Sequence, residues 1–177
     1  MIWAFDLATR CTGWCAGTGE RRPAFGAFFY PQVGSDLGAL AAAFERDLNV
    51  LLDRFGTPTH IVYESPILLP SDKLINLRKI YGLGYGTERW AARRKIPVSE
   101  ISAKAIKKRI TGNHTASKDE MVDMIVRRLG FQLPSGPERK DIADAIGCWL
   151  AGGVDYHAKQ FQPQWDAMLY GSKGALI

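Results

Sequence analysis

The sequence predicts an α/β fold: one mixed five-stranded sheet, three antiparallel strands followed by parallel ones, with helices on both faces. Three observations lead there. The chain opens with three β-like runs in close succession, at 2–6, 12–18 and 24–30. Beyond residue 35, long stretches of helical apolar spacing alternate with two short apolar runs, the pattern of strands joined through crossover helices. And 177 residues, 46% of them apolar, suffice for one well-packed domain but are few for two.

Each element has a local reason. Gly19-Glu20-Arg21-Arg22-Pro23 is turn chemistry between the second and third runs, which makes the first three strands a meander. A helix then starts with Ser35 or Asp36 as N-cap and stops at Gly56. Leu37, Leu40, Phe44, Leu48, Leu51, Leu52 and Phe55 recur along it at spacings of three, four and seven, an apolar stripe that faces a sheet. Residues 61–64 form a short strand, apolar on both sides and so buried on both. A second helix is expected over 71–94, although Gly82, Gly84 and Gly86 interrupt it at about 1 kcal/mol each relative to alanine. Ile96-Pro97-Val98 reads as a short or edge strand. Ser102 opens a basic helix that Gly112-Asn113 ends, and Ser117-Lys118-Asp119-Glu120 has capping-box spacing for the next, which runs to Gly130. A Pro/Gly loop at 133–137 leads into the last helix. That order is a ribonuclease H-like layout, with one domain at 1–152 and a C-terminal extension of weak periodicity at 153–177.

Four carboxylates occupy places where such a fold gathers side chains. Asp6 closes the first apolar run, and Glu64 closes the run 60–64. Asp141 and Asp144 stand three apart at the start of the last helix, on one helical face. Each has an ordinary reading: Asp6 as a turn former with Thr9 or Thr12, Glu64 as an acceptor of backbone N–H groups, and the aspartates as complements to a helix dipole. Four acids converging would repel one another unless a cation sat between them. Mg²⁺ takes carboxylate oxygens, and paired ions in such a cluster serve in-line phosphodiester displacement.

Charge is unevenly spread. The total is +5, but 73–140 holds 16 Lys and Arg against 6 Asp and Glu, while the rest holds 7 against 12. A basic half beside an acidic one suits a polyanion surface next to a metal pocket. Lys104, Lys107, Lys108 and Arg109 share one helix, and Lys118 sits at the next helix start, where free N–H groups also attract phosphate. Arg93-Arg94-Lys95 reads as surface charge, and Trp90, Trp149 and Trp165 as packing or interface residues. Cys11, Cys15 and Cys148 lack zinc or disulfide spacing and read as small buried thiols. No stretch approaches the roughly 20 apolar residues a membrane span requires, so a soluble, cytoplasmic chain is expected, in a bacterial or phage-infected cell.

These pieces together make the chain similar to the RuvC family of Holliday junction resolvases from Ile2 to about Gly152. The carriers are Phe5-Asp6-Leu7-Ala8-Thr9-Arg10-Cys11-Thr12-Gly13-Trp14, then Val62-Tyr63-Glu64, then the basic stretch from Ile106 through Gly112-Asn113 to Ala116-Ser117-Lys118, and finally Asp141-Ile142-Ala143-Asp144-Ala145. The resemblance implies a homodimeric endonuclease that nicks two like-polarity strands of a four-way DNA junction. It implies two Mg²⁺ ions, replaceable by Mn²⁺, held by catalytic Asp6, Glu64, Asp141 and Asp144, with DNA contacts at Lys107 and Lys118. Three departures stand out: Leu7-Ala8 in place of Pro-Gly, His114 in place of Gly, and Ile67 where some members carry an aromatic wedge. They fit a phage-type or divergent member. The competing expectations are a broader branched-nucleic-acid nuclease (forks, flaps, hybrids) and a non-catalytic DNA-branch-binding module. An ATP-binding domain of the sugar-kinase and actin type would need a duplicated domain and a further Gly-rich phosphate loop, which are lacking. The dimer is expected to rest on Leu74 to Trp90, where the three glycines offer a close helix approach. Their alternative is packing against their own sheet.

Overall fold

The computed structural model describes residues 1–19, 22–30, 36–67 and 73–153. Five strands form one sheet in the order β3-β2-β1-β4-β5. β1 (Ile2–Asp6) lies at its centre, antiparallel to β2 (Cys11–Gly17), which is antiparallel to β3 (Ala24–Phe29). β4 (His60–Glu64) runs parallel to β1 on the other side, and β5 (Val98–Ile101) parallel to β4. The expected mixed topology is therefore present. Covered on both faces, β1 is apolar at every position before Asp6, and Ile2, Trp3, Ala4 and Phe5 are fully buried.

The two-residue repeat of the strands sorts those side chains into two cores. Ile2, Ala4, Cys15 and Val62 pack with α3 (Ala103–Thr111), α4 (Lys118–Leu129) and α5 (139–153). Trp3, Phe5, Trp14, Ile61 and Tyr63 pack on the opposite face with α1 (Leu37–Phe55) and α2 (Leu74–Ala92).

Helix ends follow the capping chemistry in the sequence. Asp36 accepts from the Ala39 N–H at 2.9 Å to open α1, and Gly56 closes it with φ 75°. Ser117 and Glu120 close a full capping box on α4: Ser117 Oγ accepts from the Glu120 N–H at 3.2 Å, and Glu120 Oε2 accepts from the Ser117 N–H at 2.6 Å. Gly112 and Gly130 end α3 and α4 in left-handed conformation.

One boundary differs from expectation, for a physical reason. β5 begins at Val98 rather than Ile96, because Pro97 has no N–H to give; its carbonyl accepts from Ile61 N at 3.0 Å and leads into the ladder. α2 starts at Leu74. The last helix runs through Gly152 and Gly153. Gly152 is where α5 crosses β4: a Cβ at that position would stand 2.7 Å from the Val62 side chain. This glycine is a contact point between helix and sheet. Ser35, Ser71, Glu20 and Arg21 of the Gly19–Pro23 turn, His157, Trp165 and the extension beyond 153 lie outside the described residues.

Candidate active site

Asp6 and Glu64 are the last residues of two adjacent parallel strands. Ala4 and Val62, two positions earlier, belong to the core shared with α5, so both carboxylates leave the sheet on that face. Gly13, paired with Asp6 across the β1–β2 ladder, explains how α5 reaches them. A Cβ on Gly13 would collide with the backbone carbonyl of Asp141. The absence of a side chain there lets the first turn of α5 rest on the sheet, which carries Asp141 and Asp144 to the end of β1. The turn after β1 lacks the Pro-Gly of the family pattern and is held by Thr12 instead. The Thr12 hydroxyl donates to the Ala8 carbonyl at 3.0 Å and accepts from the Ala8 N–H at 3.2 Å.

The electrostatics follow from burial and crowding. The Asp6 carboxyl is pushed well above the usual aspartate range, first by burial and then by the negative fields of Asp144, Glu64 and Asp141, with Lys118 opposing. Glu64 rises to about 7, again first from burial and then from Asp144, while Lys118 and Lys107 pull it down. Asp144, 9% exposed, is raised by burial despite its ion pair with Lys118 at 2.7 Å. For Lys118, burial disfavours the charge, but Asp144, Asp6 and Asp141 outweigh it and hold the ammonium above its ordinary value.

Asp6 thus lies in the fields of the other three sequence-assigned acids, and Glu64 in that of Asp144. Among the described residues, however, no three His, Cys, Asp or Glu side chains are already gathered into coordinating positions around one point. The cation present in the cluster is the Lys118 ammonium. The donor set suits a hard divalent ion, because it consists of carboxylate oxygens. Burial also leaves Asp6 and Glu64 short of compensating charge, which Lys118 supplies only in part. Cys11 is a neighbour that sequence reasoning passed over as a buried thiol. It is half-buried and hydrogen-bonded to the Asp141 side chain, and burial followed by Asp141 pushes its thiol up to about 12. Its place opening β2, just beyond the Asp6–Gly13 pair, was the available signal.

The basic residues divide. Lys107 is half-buried and its charge reaches both Glu64 and Asp144, so with Lys118 it flanks the acids. Lys104 and Lys108 are exposed on the same helix. Arg109, on the same helix, donates from Nη1 to the Ala151 carbonyl at 2.6 Å, tying α3 to α5. His114 is exposed in the α3–α4 loop, where Asn113 Oδ1 accepts from the Thr115 N–H at 3.0 Å. Ile67 is exposed just past Glu64. Trp90 and Trp149 are buried packing residues, as read from sequence. Within the Arg93–Lys95 cluster, Arg94 stacks on Trp90 at 4.0 Å.

The glycines of α2 do not form one surface. A Cβ on Gly84 would lie 3.5 Å from the Tyr63 hydroxyl of the same chain, and one on Gly86 would lie 3.9 Å from Phe44. Only Gly82 of the three faces open space. The exposed apolar side chains of the helix are Leu74, Tyr81 and Tyr85, at 73%, 50% and 66%. Spacings of seven and four put them on one stripe.

Comparison with known proteins agrees with this geometry. A family model described as crossover junction endodeoxyribonuclease RuvC matches residues 87–151. A protein of that name from Prochlorococcus marinus is 30% identical over 119 residues, covering 67% of this chain and 73% of that one. Another from Corynebacterium diphtheriae is 39% identical over 75 residues, but the match spans 40% of this chain and only 45% of the relative. Among solved structures, Thermus thermophilus RuvC in complex with Holliday junction substrate superposes with a TM-score of 0.70 over 89% of this chain and 94% of that one. At 16% identity, that likeness speaks to the fold.

Proposed function

Because this chain belongs to the RuvC family of crossover junction endodeoxyribonucleases, we propose that it resolves four-way DNA junctions by metal-dependent phosphodiester hydrolysis, cutting paired strands. The observation that carries this reading is the convergence at Asp6: a half-buried carboxylate at the end of β1, in the combined field of Glu64, Asp141 and Asp144, with one lysine as counter-charge. Such a cluster is poorly balanced alone and well balanced around divalent cations.

Asp6, Glu64, Asp141 and Asp144 are the residues that would hold the metal, and an all-carboxylate set favours Mg²⁺ with Mn²⁺ as substitute. Two ions bound there would supply an activated water and stabilise the leaving 3′-oxygen. The chain's own contribution is placement. β1 and β4 hold two acids at fixed strand ends, and the Gly13 contact fixes the other two against them. Lys107 and Lys118 temper the negative field that would otherwise repel an approaching phosphate. Lys104 and Lys108 extend the basic surface along α3. No nucleophilic side chain is required, and the Cys11 thiol, raised to about 12, is unsuited to that role.

Paired cuts on a substrate of approximate two-fold symmetry call for two active sites, and one chain carries one. The Leu74, Tyr81 and Tyr85 stripe is the surface we assign to a C₂ dimer. The test is cleavage of a synthetic immobile four-way junction with added Mg²⁺, with nicks mapped on all four strands. Symmetric nicks on two strands are expected, lost in EDTA and reduced to unpaired nicks in Tyr81→Glu, which should sediment as a monomer. Equal cutting of forks, flaps and linear duplex would replace junction resolution with a broader branched-substrate nuclease.

A further inference from the structure

Glu64 stands where β4 runs out of support. Ser65 is the next residue, and its N–H donates to the Ile101 carbonyl at 2.9 Å. Pro66 follows and has no N–H, so it cannot add another rung to the β4–β5 ladder. At this open end Glu64 also feels the repulsion of Asp144. Keeping its carboxylate turned towards other carboxylates requires that the strand end be held.

The residues on either side of Glu64 share one acceptor. Strand alternation turns Tyr63 and Ser65 to the face opposite Glu64. On β5, Glu100 is the register partner of Tyr63. Tyr63 Oη donates to Glu100 Oε1 at 2.6 Å, and Ser65 Oγ donates to Glu100 Oε2 at 3.1 Å. Each oxygen of one carboxylate therefore holds one neighbour of Glu64. Tyr63 is itself a fixed post. Its side chain is buried, and burial followed by the two adjacent glutamates pushes its phenol above the ordinary range, so it remains a donor. Glu88 on α2 is a second acceptor for that hydroxyl at 2.9 Å, but a phenol has one proton to give and the shorter contact is to Glu100. An exposed glutamate on an edge strand is ordinarily solvated. Glu100 instead engages both oxygens with the pair that brackets one acid of the candidate site.

We propose that Glu100 is a positioning residue: its carboxylate clamps Tyr63 and Ser65, and through them sets the direction in which Glu64 leaves the end of β4. Glu100 acts from the opposite face of the sheet and not as a ligand. This role depends on Glu64 holding metal, as proposed above.

Two quantities read the clamp. One is the affinity for Mn²⁺ without DNA, followed by the electron paramagnetic resonance of the free ion. The other is the single-turnover rate of junction cleavage at saturating protein and fixed Mg²⁺. Glu100→Ala should weaken Mn²⁺ binding and slow cleavage by about tenfold or more, the scale on which groups behind metal ligands act, while junction affinity stays within about twofold. Tyr63→Phe/Ser65→Ala removes both donors, keeps the Glu100 charge, and should reproduce those losses. Adding Glu100→Ala to that pair should cost nothing more, because the three side chains form one unit. Glu88→Ala should leave both quantities unchanged. Circular dichroism and the thermal midpoint establish that each variant is folded at the assay temperature. If Glu100→Ala is not, Glu100→Gln, which keeps an oxygen for one of the two donors, replaces it and should show an intermediate loss. Either quantity at its wild-type value in the Glu100 variant, losses that add across the cycle, or an equal loss in Glu88→Ala would overturn the clamp. A lowered thermal midpoint with both quantities unchanged would do the same and leave Glu100 a strand-edge contact. Wild-type protein that binds Mn²⁺ but cuts no junction would refute the proposed function alone, because Mn²⁺ affinity reads the clamp without cleavage. Wild-type protein that binds no Mn²⁺ would refute both.

Discussion

The two faces of the sheet use the same strands to opposite ends. Towards α5 the contacts are close: Gly13 on β2 meets the Asp141 backbone at the start of the helix, and Gly152 on the helix meets Val62 on β4. Towards α1 and α2 they are large: Trp3 stacks on Trp90 at 5.7 Å, Phe5 meets Phe44 edge-on at 6.1 Å, and Tyr63 reaches across to donate to Glu88 or Glu100. Close approach on the first face brings acids from three elements into a common field. Bulky spacers on the second hold the helices away from the sheet and leave a cleft between them. One face is built for convergence and the other for distance, and perturbations should separate them.

The largest effect belongs to the charges on the close face. Asp6→Asn or Asp144→Asn removes a carboxylate while leaving Lys104, Lys107 and Lys108 in place. Junction cleavage should fall by several orders of magnitude, with junction affinity unchanged or raised as phosphate repulsion falls. Cleavage within tenfold of wild type would remove these acids from the chemistry.

Next in size is the pH response of the metal-free protein. Glu64 has a pKa raised on folding, from an ordinary 4.5 to about 7, so the folded state prefers it protonated. Its contribution is therefore favourable below about 4.5 and is lost as pH rises through 7; Asp6 and Asp144, raised as well, act in the same sense. In EDTA, stability should drop between pH 5 and pH 8 by an amount on the order of 3 kcal/mol for Glu64 at most. Added Mg²⁺ should flatten the profile, and Glu64→Gln should shrink the slope. A thermal midpoint that rises with pH in EDTA would contradict the assignment. Variants of Glu45 or Arg93, on the far face, should leave the slope as it is.

Glycine replacements sharpen the contrast in geometry. Gly13→Ala forces a methyl group into the Asp141 backbone and should cost about 1–3 kcal/mol, while displacing α5 and abolishing cleavage. Gly82→Ala adds the same methyl to open space within a helix and should be neutral or stabilise by up to about 1 kcal/mol. Equal effects in chemical denaturation would mean that the close face is no tighter than the far one.

The smallest effects distinguish two basic residues on α3. Lys107→Ala should weaken junction binding and lower the slope of log K against log salt by about one unit for one lost phosphate contact. Arg109→Ala should leave that slope unchanged and instead lower stability, because the Ala151 carbonyl loses its donor. Slopes measured at several salt concentrations decide between them.

Much of this was legible in the chain. Helix ends were readable because capping is local: Asp36, Ser117, Glu120, Gly56, Gly112 and Gly130 each act within a few residues of where they stand. The strand ends bearing Asp6 and Glu64 were readable because burial on both faces leaves an unbroken apolar run that an acid terminates. What the sequence by itself determined was therefore element type and order, and with them the four acids. Only the tertiary structure decided whom each side chain meets. Lys118 and Arg109 read alike in sequence as phosphate contacts; in the fold Lys118 pairs with Asp144 and Arg109 donates to the Ala151 carbonyl. Gly152 stands at the end of the domain read from sequence and is a helix–sheet crossing point, and Gly84 looked like an interface and packs on Tyr63. The physical reason is common to all four. A charge or a missing side chain specifies a need, for a counter-charge or for a close neighbour. The partner that meets it comes from a distant part of the chain, set by sheet register and helix crossing.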